Sequence, residues 1–366
     1  MTETITRTTR PAPRAIAFAD CDVHNALPAP EALLKYLPAR WHGDYERGRG
    51  PGGTTGSGLY PSRPQNGIFR WDARPPSGGV PGSDFEFLKE HYLDAWPVQQ
   101  AILAPLDANG WSQYGAFGGA IVSAINDWMA AEWLGRDARL YGGVSVTMED
   151  GRRAAQEIAR AAQHPRFVQV MMYSRTRDPM GHPRYWPIYE AAQSAGLPVA
   201  VHVGGLGNPM TGAGWPSYHF EYHASFVHTF HAQVVSLIAS GVFTEFPALR
   251  FVLEEGGFAW LPSLMWRMDR TWRLMGETTQ LAEAPSEVLK RHFWFTTQPM
   301  DEAERPEQFV ELLGHLDRLG MLERVMFATD YPHWDFDSPE KAFPDVVAGE
   351  AKEKIFRRNA QALYRF

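Results

Sequence analysis

The sequence is short of cysteine, of long apolar runs and of positive charge, and each shortage argues against a class of protein. Cys21 is the only cysteine among 366 residues, which excludes an intrachain disulfide and fits a reducing compartment. Residues 1–14 hold no apolar signal-peptide core, and no later window reaches roughly 18 uninterrupted apolar residues. The net charge of −7 supplies no basic field for nucleic acid. We therefore expect a cytoplasmic protein with no nucleic-acid or membrane partner.

Short apolar or β-branched runs recur along the chain, and amphipathic segments separate most of them. Eight runs are predicted as strands, at residues 15–24, 98–104, 140–146, 167–173, 198–203, 250–255, 293–298 and 324–330. Alternating strands and helices favour parallel pairing through right-handed crossovers, and eight strands predict a closed (β/α)8 TIM barrel. An open doubly wound sheet is the alternative, although no G-x-G-x-x-G motif follows the first strand.

The domain organisation follows from one break in this alternation. Residues 15–366 are expected to form the barrel, and residues 1–14 a disordered N-terminal tail. Residues 38–84, rich in Gly, Pro, Ser and Arg, form an insertion after the first strand, with Tyr60, Phe69, Arg70 and Trp71 as candidate anchors. In a barrel this insertion lies over the mouth, so we predict a lid or a partner-contact segment. A surface loop without a role is the alternative.

The first predicted strand ends in Asp20-Cys21-Asp22-Val23-His24. Alternate residues of a strand share a face, so the Asp22 carboxylate and the His24 imidazole point the same way. Carboxylate and imidazole together bind divalent cations such as zinc, manganese or iron. A capped strand end with a buried polar pair is the alternative.

Polar side chains also follow three later strands, where the active sites of TIM barrels lie. His202 ends the fifth strand, Glu255 ends the sixth and Asp330 ends the eighth. Each would cost several kcal/mol if it were buried without a partner, whereas one shared cation offsets that cost for all of them. The pattern predicts a metal site at the mouth of the barrel.

Five motifs together resemble the amidohydrolase superfamily: D-x-D-x-H-N, V-H-V-G-G, F-V-L-E-E-G-G-F-A-W-L-P, F-T-T-Q-P and F-A-T-D-Y-P-H-W-D. The closer similarity is to the branch with aminocarboxymuconate semialdehyde decarboxylase and the resorcylate decarboxylases. The resemblance implies metal ligation by Asp22, His24, His202 and Asp330. Asp22 stands where the superfamily usually has the first histidine of H-x-H.

Glu255 is a second departure from the family pattern. Many relatives carry a histidine before Gly-Gly at the end of the sixth strand, where it activates the metal-bound water or polarises the substrate. A glutamate at this place can act as a general base near a metal hydroxide, or it can be a ligand. We assign Glu255 to both the catalytic and the metal-binding candidates.

Three histidines crowd residues 222–240, which we predict as one helix. His228 and His231 share a face at i, i+3 spacing, and His223 sits near the helix start. With a carboxylate they suit a second metal ion, as in a dinuclear oxygenase subgroup of the superfamily that includes aminoisobutyrate hydroxylase. Packing of the helix is the alternative. His228 is our candidate second-metal and catalytic residue.

The sequence thus predicts a metal-dependent enzyme that hydrolyses or nonoxidatively decarboxylates a small carboxylated compound, with Asp330 moving protons. His223, Gln298 and Trp334 are the candidate substrate-binding residues. One alternative is a dinuclear iron or manganese oxygenase that hydroxylates an aliphatic C–H bond of a small amino or carboxylic acid. Another is a noncatalytic barrel subunit that supports an active paralogue. We expect a homo-oligomer or a hetero-oligomer with a paralogous chain.

Overall fold

A sheet of eight parallel strands organises the chain in the computed structural model, which describes residues 16–48, 68–205, 213–279, 281–347 and 349–366. The strands are β1 (Phe18–Val23), β2 (Val98–Leu103), β3 (Leu140–Ser145), β4 (Phe167–Tyr173), β5 (Val199–His202), β6 (Phe251–Glu254), β7 (Phe293–Thr296) and β8 (Val325–Met326). All eight lie inside the predicted ranges. The last is much shorter than predicted.

The sheet closes into a barrel between β1 and β8. Strands follow one another in chain order, each pairing in parallel with the next. The Cys21 N–H donates to the carbonyl of Phe327 at 3.1 Å, and the Asp330 N–H donates to the carbonyl of Asp22 at 3.1 Å. These bonds place the ends of β1 and β8 side by side, and the predicted TIM barrel is confirmed.

Helices connect most of the strands and cover the outside of the barrel. They are α1 (His42–Gly48), α2 (Phe85–Leu88), α3 (Ala116–Met129), α4 (Gly151–Ala161), α5 (Trp186–Ala195), α6 (His219–Ser225), α7 (Val227–Ala239), α8 (Val242–Glu245), α9 (Leu261–Met275), α10 (Pro285–His292), α11 (Pro306–Arg318), α12 (Glu350–Glu353) and α13 (Asn359–Leu363). None of the described helices has both the length and the apolarity to cross a bilayer.

The single helix predicted over residues 222–240 is wrong, because the structure divides it at Phe226 into α6 and α7. The Thr229 hydroxyl donates to the Phe226 carbonyl at 2.8 Å, and the Thr229 N–H donates to the same carbonyl at 3.0 Å. A threonine side chain that bonds a nearby carbonyl competes with the regular helical pattern. His223 therefore lies on a different helix from His228 and His231.

One face of the strands fills the interior of the barrel with small and medium apolar side chains. The cluster draws on seven of the eight strands and on the C-terminal residues: Ala19, Cys21, Ile102, Val168, Ala200, Val252, Trp294, Met326, Ala360, Leu363 and Tyr364. Cys21 is fully buried within it, as a small core residue. The barrel is thus a packed core whose polar residues are confined to a few places.

A chain of buried polar groups interrupts this interior. The Tyr364 hydroxyl donates to Gln169 Oε1 at 2.6 Å, and Gln169 Nε2 donates to Glu254 Oε1 at 2.7 Å. Glu254 is fully buried at the end of β6. Burial raises the pKa of its carboxyl to about 8, because an apolar interior disfavours the charged form. Glu254 is therefore protonated at neutral pH in the metal-free protein.

The described end of the insertion lies against the loop after β8. The Arg70 N–H donates to the carbonyl of Pro332 at 3.0 Å, and the Phe69 ring lies 5.7 Å from the His333 ring. Trp71 is 71% exposed in the single chain, so its role as an anchor of a lid or of a partner contact stays a prediction. Tyr60 and residues 1–14 lie outside the described residues, and the lid function stays a prediction.

We expect the substitution Glu254→Gln to reduce the pH dependence of stability of the metal-free protein between about pH 4.5 and pH 8. Glu254 keeps its proton in the folded state up to about pH 8, whereas the unfolded chain releases it above its ordinary value of 4.5. Stability is therefore lost as the pH rises through this window, by up to roughly 1.4 kcal/mol per pH unit from this group. Urea unfolding at a series of pH values measures the slope.

The matched control is Glu245→Gln, which replaces an exposed carboxylate at the end of α8. We expect it to leave the slope unchanged. A Glu254→Gln variant whose unfolding free energy has the wild-type dependence on pH would contradict the burial of a protonated acid here.

Candidate metal centre

Buried carboxylates and imidazoles meet at the carboxyl-terminal mouth of the barrel. Asp22 and His24 come from the end of β1, His202 from β5, Glu255 from the end of β6 and Asp330 from the loop after β8, and each is at most 6% exposed. The atoms of Asp22, His24, His202 and Glu255 that can bind a metal lie within 4.8 Å of one another. The structure thus brings together the residues that the sequence analysis selected from four separate strand ends.

A second, overlapping group extends the cluster. It consists of His24, Glu255, Asp330 and His333, again within 4.8 Å. Both groups use His24 and Glu255, and one imidazole lone pair binds one ion. The overlap therefore favours one centre over two independent sites.

Both ligand-type imidazoles are held in the orientation that metal binding requires. His24 Nδ1 donates to the carbonyl of Ala104 at 2.7 Å, and His202 Nδ1 donates to the carbonyl of Val203 at 2.6 Å. A carbonyl only accepts, so Nδ1 carries the proton in each ring. Nε2 of each ring is then the nitrogen that faces the cluster, which is how backbone carbonyls orient metal-binding histidines. Burial lowers the pKa of both rings, but the neighbouring carboxylates outweigh it and raise the pKa of His202 to about 9, so a cation must displace a proton from Nε2.

The cluster atoms lack the hydrogen bonds that buried polar groups normally have. Among the described residues, both oxygens of Asp22, Nε2 of His24 and of His202, and Oε1 of Glu255 have no hydrogen-bond partner. His202 Nε2 lies only 2.9 Å from Glu255 Oε1. Two lone pairs at this distance repel each other unless a proton or a cation lies between them. The nitrogen and oxygen donors present fit manganese, zinc or iron.

Burial and mutual repulsion set the protonation of the carboxyls. Burial raises the pKa of Asp22 to about 7. Burial, and after it the charge of Glu255, holds the pKa of Asp330 well above its usual range. Burial also acts to raise the pKa of Glu255, but the adjoining His202 outweighs it and holds that pKa well below its usual value. A cation must therefore displace protons from this cluster, and its binding strengthens with rising pH.

The backbone is strained at two of the acidic residues. Glu255 and Asp330 both have φ of 58°, in the left-handed region that residues other than glycine rarely adopt. Such strain persists where the surroundings impose it, and it concentrates at functional sites. Gly82 of the insertion supports His24 in another way, because a Cβ there would lie 2.3 Å from the His24 carbonyl oxygen.

Asp20, which the sequence analysis left without a role, connects the metal centre to its supports. Its carboxylate accepts hydrogen bonds from the Tyr92 hydroxyl, from the Thr329 hydroxyl at 2.6 Å and from the Thr329 N–H at 3.0 Å. The Asp22 N–H also donates to it at 3.2 Å. Asp20 thus ties the backbone beside Asp22 to the backbone beside Asp330. The sequence signal for Asp20 was its place as the first residue of the D-x-D-x-H motif.

His333 is a second residue whose position the sequence did not predict. Its Nδ1 lies 2.6 Å from Asp330 Oδ1, and its ring lies 4.5 Å from that of His24. Burial, and after it the neighbouring His24, lowers the pKa of His333 to about 3. A neutral His333 therefore donates to Asp330 and holds that carboxyl in place.

A small cavity of about 60 Å³ opens above the centre. His202, Glu255 and Asp330 line it on the metal side, and His223 and Trp334 line its wall, with ring centroids 5.2 Å apart. Gln298 does not line the cavity, but its Nε2 donates to Oδ2 of Asp335, a lining residue, at 3.0 Å. The structure therefore places two of the three predicted substrate-binding residues in the cavity.

His228 does not belong to the metal centre, and we correct that assignment. It is exposed on α7 and is in neither of the two groups found among the described residues. Its ring lies 5.9 Å from His231, which packs 4.3 Å from Trp260. The break at Phe226 puts this pair on a helix separate from the cavity wall that holds His223. The spacing of the histidines therefore reflects helix packing.

The protein-family model described as Amidohydrolase matches residues 19–366 of the chain. The chain belongs to this family. The gamma-resorcylate decarboxylase of Polaromonas sp. (strain JS666 / ATCC BAA-500) is 25% identical over 324 residues, covering 79% of this chain and 93% of that protein. The gamma-resorcylate decarboxylase of Rhodococcus jostii (strain RHA1) is 28% identical over 268 residues, covering 67% and 76% respectively.

Solved structures of the same kind share the fold. The 5-carboxyvanillate decarboxylase of Sphingomonas paucimobilis superposes with a TM-score of 0.68 at 22% identity, covering 96% of this chain and 100% of that one. A dihydroxybenzoic acid decarboxylase from Polaromonas sp. JS666, solved with manganese and 2-nitroresorcinol, gives 0.64 at 19% identity, covering 95% and 96%. The predicted resemblance to the amidohydrolases is confirmed, together with a buried group able to hold a divalent metal.

We expect His202→Ala to lose bound manganese. The substitution removes one lone pair from the centre, and loss of even an outer partner of a metal ligand weakens metal affinity about 10- to 100-fold. Elemental analysis after manganese loading and desalting gives the metal content of each variant. Wild-type protein is expected to retain about one equivalent, as for a single shared centre.

His228→Ala is the control, because it removes an exposed imidazole that the sequence analysis had placed at a metal. It is expected to keep the wild-type metal content. Equal metal in His202→Ala and wild type would show that the cluster does not hold the ion.

Proposed function

We propose that this amidohydrolase-family chain is a metal-dependent carboxy-lyase that decarboxylates a small aromatic acid without oxidation. The observation that carries the proposal is the set of unpartnered donor atoms around His24 and His202, buried at the mouth of the barrel. Similarity to gamma-resorcylate decarboxylases along most of the chain supports the reaction class. Hydrolysis of a small carboxylated compound remains the other reaction expected from the sequence.

In the proposed enzyme Asp22, His24, His202 and Glu255 hold the cation, with Asp330 beside them. A divalent cation held by these residues would polarise the carboxylate of the substrate and would help to fix the acid in the cavity. Glu255 takes the place at which many relatives have a histidine. Its ionised carboxylate, 2.9 Å from His202 Nε2, serves as a ligand here.

Asp330 is the proposed proton donor. Replacement of an aromatic carboxylate by hydrogen requires a proton on the ring carbon, and the carbon–carbon bond to the carboxylate then breaks and releases carbon dioxide. Burial and Glu255 favour the protonated form of Asp330. His24 Nε2 and His333 Nδ1 contact its Oδ1 at 2.7 and 2.6 Å, which leaves Oδ2 for the transferable proton. Water then restores that proton.

Two other functions expected from the sequence receive less support. The dinuclear oxygenase assigned His228 to a second metal, and His228 is exposed on α7. The noncatalytic subunit requires a closed set of ligands, whereas the described residues leave a cavity against His202, Glu255 and Asp330. Assembly into homo- or hetero-oligomers stays a prediction.

The proposal predicts that manganese-loaded protein releases carbon dioxide from 2,6-dihydroxybenzoate, and that Asp330→Asn abolishes the release. Asparagine keeps the size of the side chain but has no acidic proton, and loss of a general acid lowers kcat by about 10²- to 10⁴-fold. Carbon dioxide release is measured together with manganese content, so that lost chemistry is separated from lost metal.

Asp345→Asn, which changes an exposed carboxylate, is expected to keep wild-type kcat. An Asp330→Asn protein that contains manganese and keeps its kcat would remove Asp330 as the donor. A manganese-loaded wild type that neither decarboxylates nor binds aromatic acids would overturn the proposed function.

A further inference from the structure

The wall of the cavity contains few groups that can neutralise the negative charge of a bound acid. Among the described residues that line it there is no lysine and no arginine. Apart from a bound cation, positive charge there can come only from imidazoles. His202 belongs to the metal centre, and His333 is engaged beside it through a contact of 2.6 Å between its Nδ1 and Asp330 Oδ1. His219 and His223 are the imidazoles of the outer wall.

His223 has the contacts of a histidine held in its charged form. Its Nε2 lies 2.8 Å from Asp335 Oδ2, and Gln298 Nε2 donates to the same oxygen at 3.0 Å. Burial lowers the pKa of the His223 ring, but the hydrogen bond to Asp335 outweighs burial and raises it above the usual value. The carboxylate accepts, so Nε2 carries a proton and Nδ1 is the nitrogen left for a ligand.

Aromatic packing fixes the His223 ring in the wall. Phe226 meets it edge to face at 5.4 Å, and Trp334 lies 5.2 Å away. Among the described residues no hydrogen bond uses His223 Nδ1. The ring is therefore fixed in place with one donor to spare.

Asn109 supplies a second donor to the same cavity. Its Oδ1 accepts from the N–H of Gly205 at 2.9 Å and from the N–H of Gly110 at 3.0 Å. Both lone pairs of the oxygen are in use, and among the described residues no hydrogen bond uses the amide nitrogen, which is a donor. Asn109 follows β2 and His223 lies on α6, so the two donors reach the cavity from different parts of the chain.

We propose that His223 and Asn109 form a second oxyanion subsite, which binds a second anionic oxygen that the substrate carries besides its reacting carboxylate. The inference rests on the proposed function, which places that carboxylate at the metal centre. It narrows the substrate class to small aromatic acids that carry a second anionic group. In this proposal His223 contacts the substrate, and Asp335 is a positioning residue for His223. Gln298 does not bind substrate; it donates a hydrogen bond to Asp335.

The experiment compares binding of benzoate with binding of the three benzenedicarboxylates, so that the place of the second oxygen is not presupposed. Isothermal titration of the manganese-loaded wild type is expected to find at least one dicarboxylate that binds about 10- to 100-fold tighter than benzoate, as a charge-assisted hydrogen bond provides. His223→Gln is expected to remove most of this preference, so that within this variant the dicarboxylate binds no more than a few-fold tighter than benzoate. Asp335→Asn is expected to reduce the preference, because His223 then loses its ionised partner.

His228→Gln is the matched control, an exposed histidine outside the cavity that is expected to keep the full preference. Manganese content and circular dichroism are recorded for every variant, and Asp335→Asn decides the question if His223→Gln does not fold. Benzoate binding with no tighter dicarboxylate, or a preference that survives in the folded variants, overturns this inference and leaves the proposed function standing. If neither benzoate nor any dicarboxylate binds to the manganese-loaded protein, both are overturned.

Discussion

The structure depends on one electrostatic constraint, the burial of several carboxyls and imidazoles that do not satisfy one another. Asp22, His24, His202 and Glu255 present unpartnered atoms to a common point in a setting nearly free of water. Removing one such group from water costs several kcal/mol, so a cluster of them is stable only with protons or a cation. The rest of the barrel holds these groups in place against that cost.

The supports are arranged in order around the cluster. Backbone carbonyls hold the two imidazoles, and Asp20 joins the ends of β1 and β8 through backbone and hydroxyl donors. Below the cluster, the carboxyl of Glu254 stays protonated because burial raises its pKa to about 8, so it adds no further negative charge to the interior. Loss of such an outer contact typically weakens metal affinity about 10- to 100-fold.

Above the centre the chemistry changes from metal ligation to recognition. His333 is neutral and restrains Asp330, whereas His223 is paired with Asp335 and favours its charged form. The pKa values of these two histidines, which line one cavity, are thus shifted in opposite directions because their partners and their burial differ. The environment of each ring, and not the residue type, sets this shift.

The sequence by itself determined the barrel and most of its metal centre. Eight apolar runs indicated the strands because burial on both faces leaves a local pattern, and polar residues at strand ends marked the mouth because the active sites of such barrels lie there. It did not determine which histidine belongs to the site. Nothing in the local sequence distinguishes His223, His228 and His333, and only their tertiary contacts do. The helix break at Phe226 places His228 outside the site, and the loop after β8 places His333 beside Asp330. Protonation likewise depends on burial and on partners distant in sequence, and these exist only once the chain has folded.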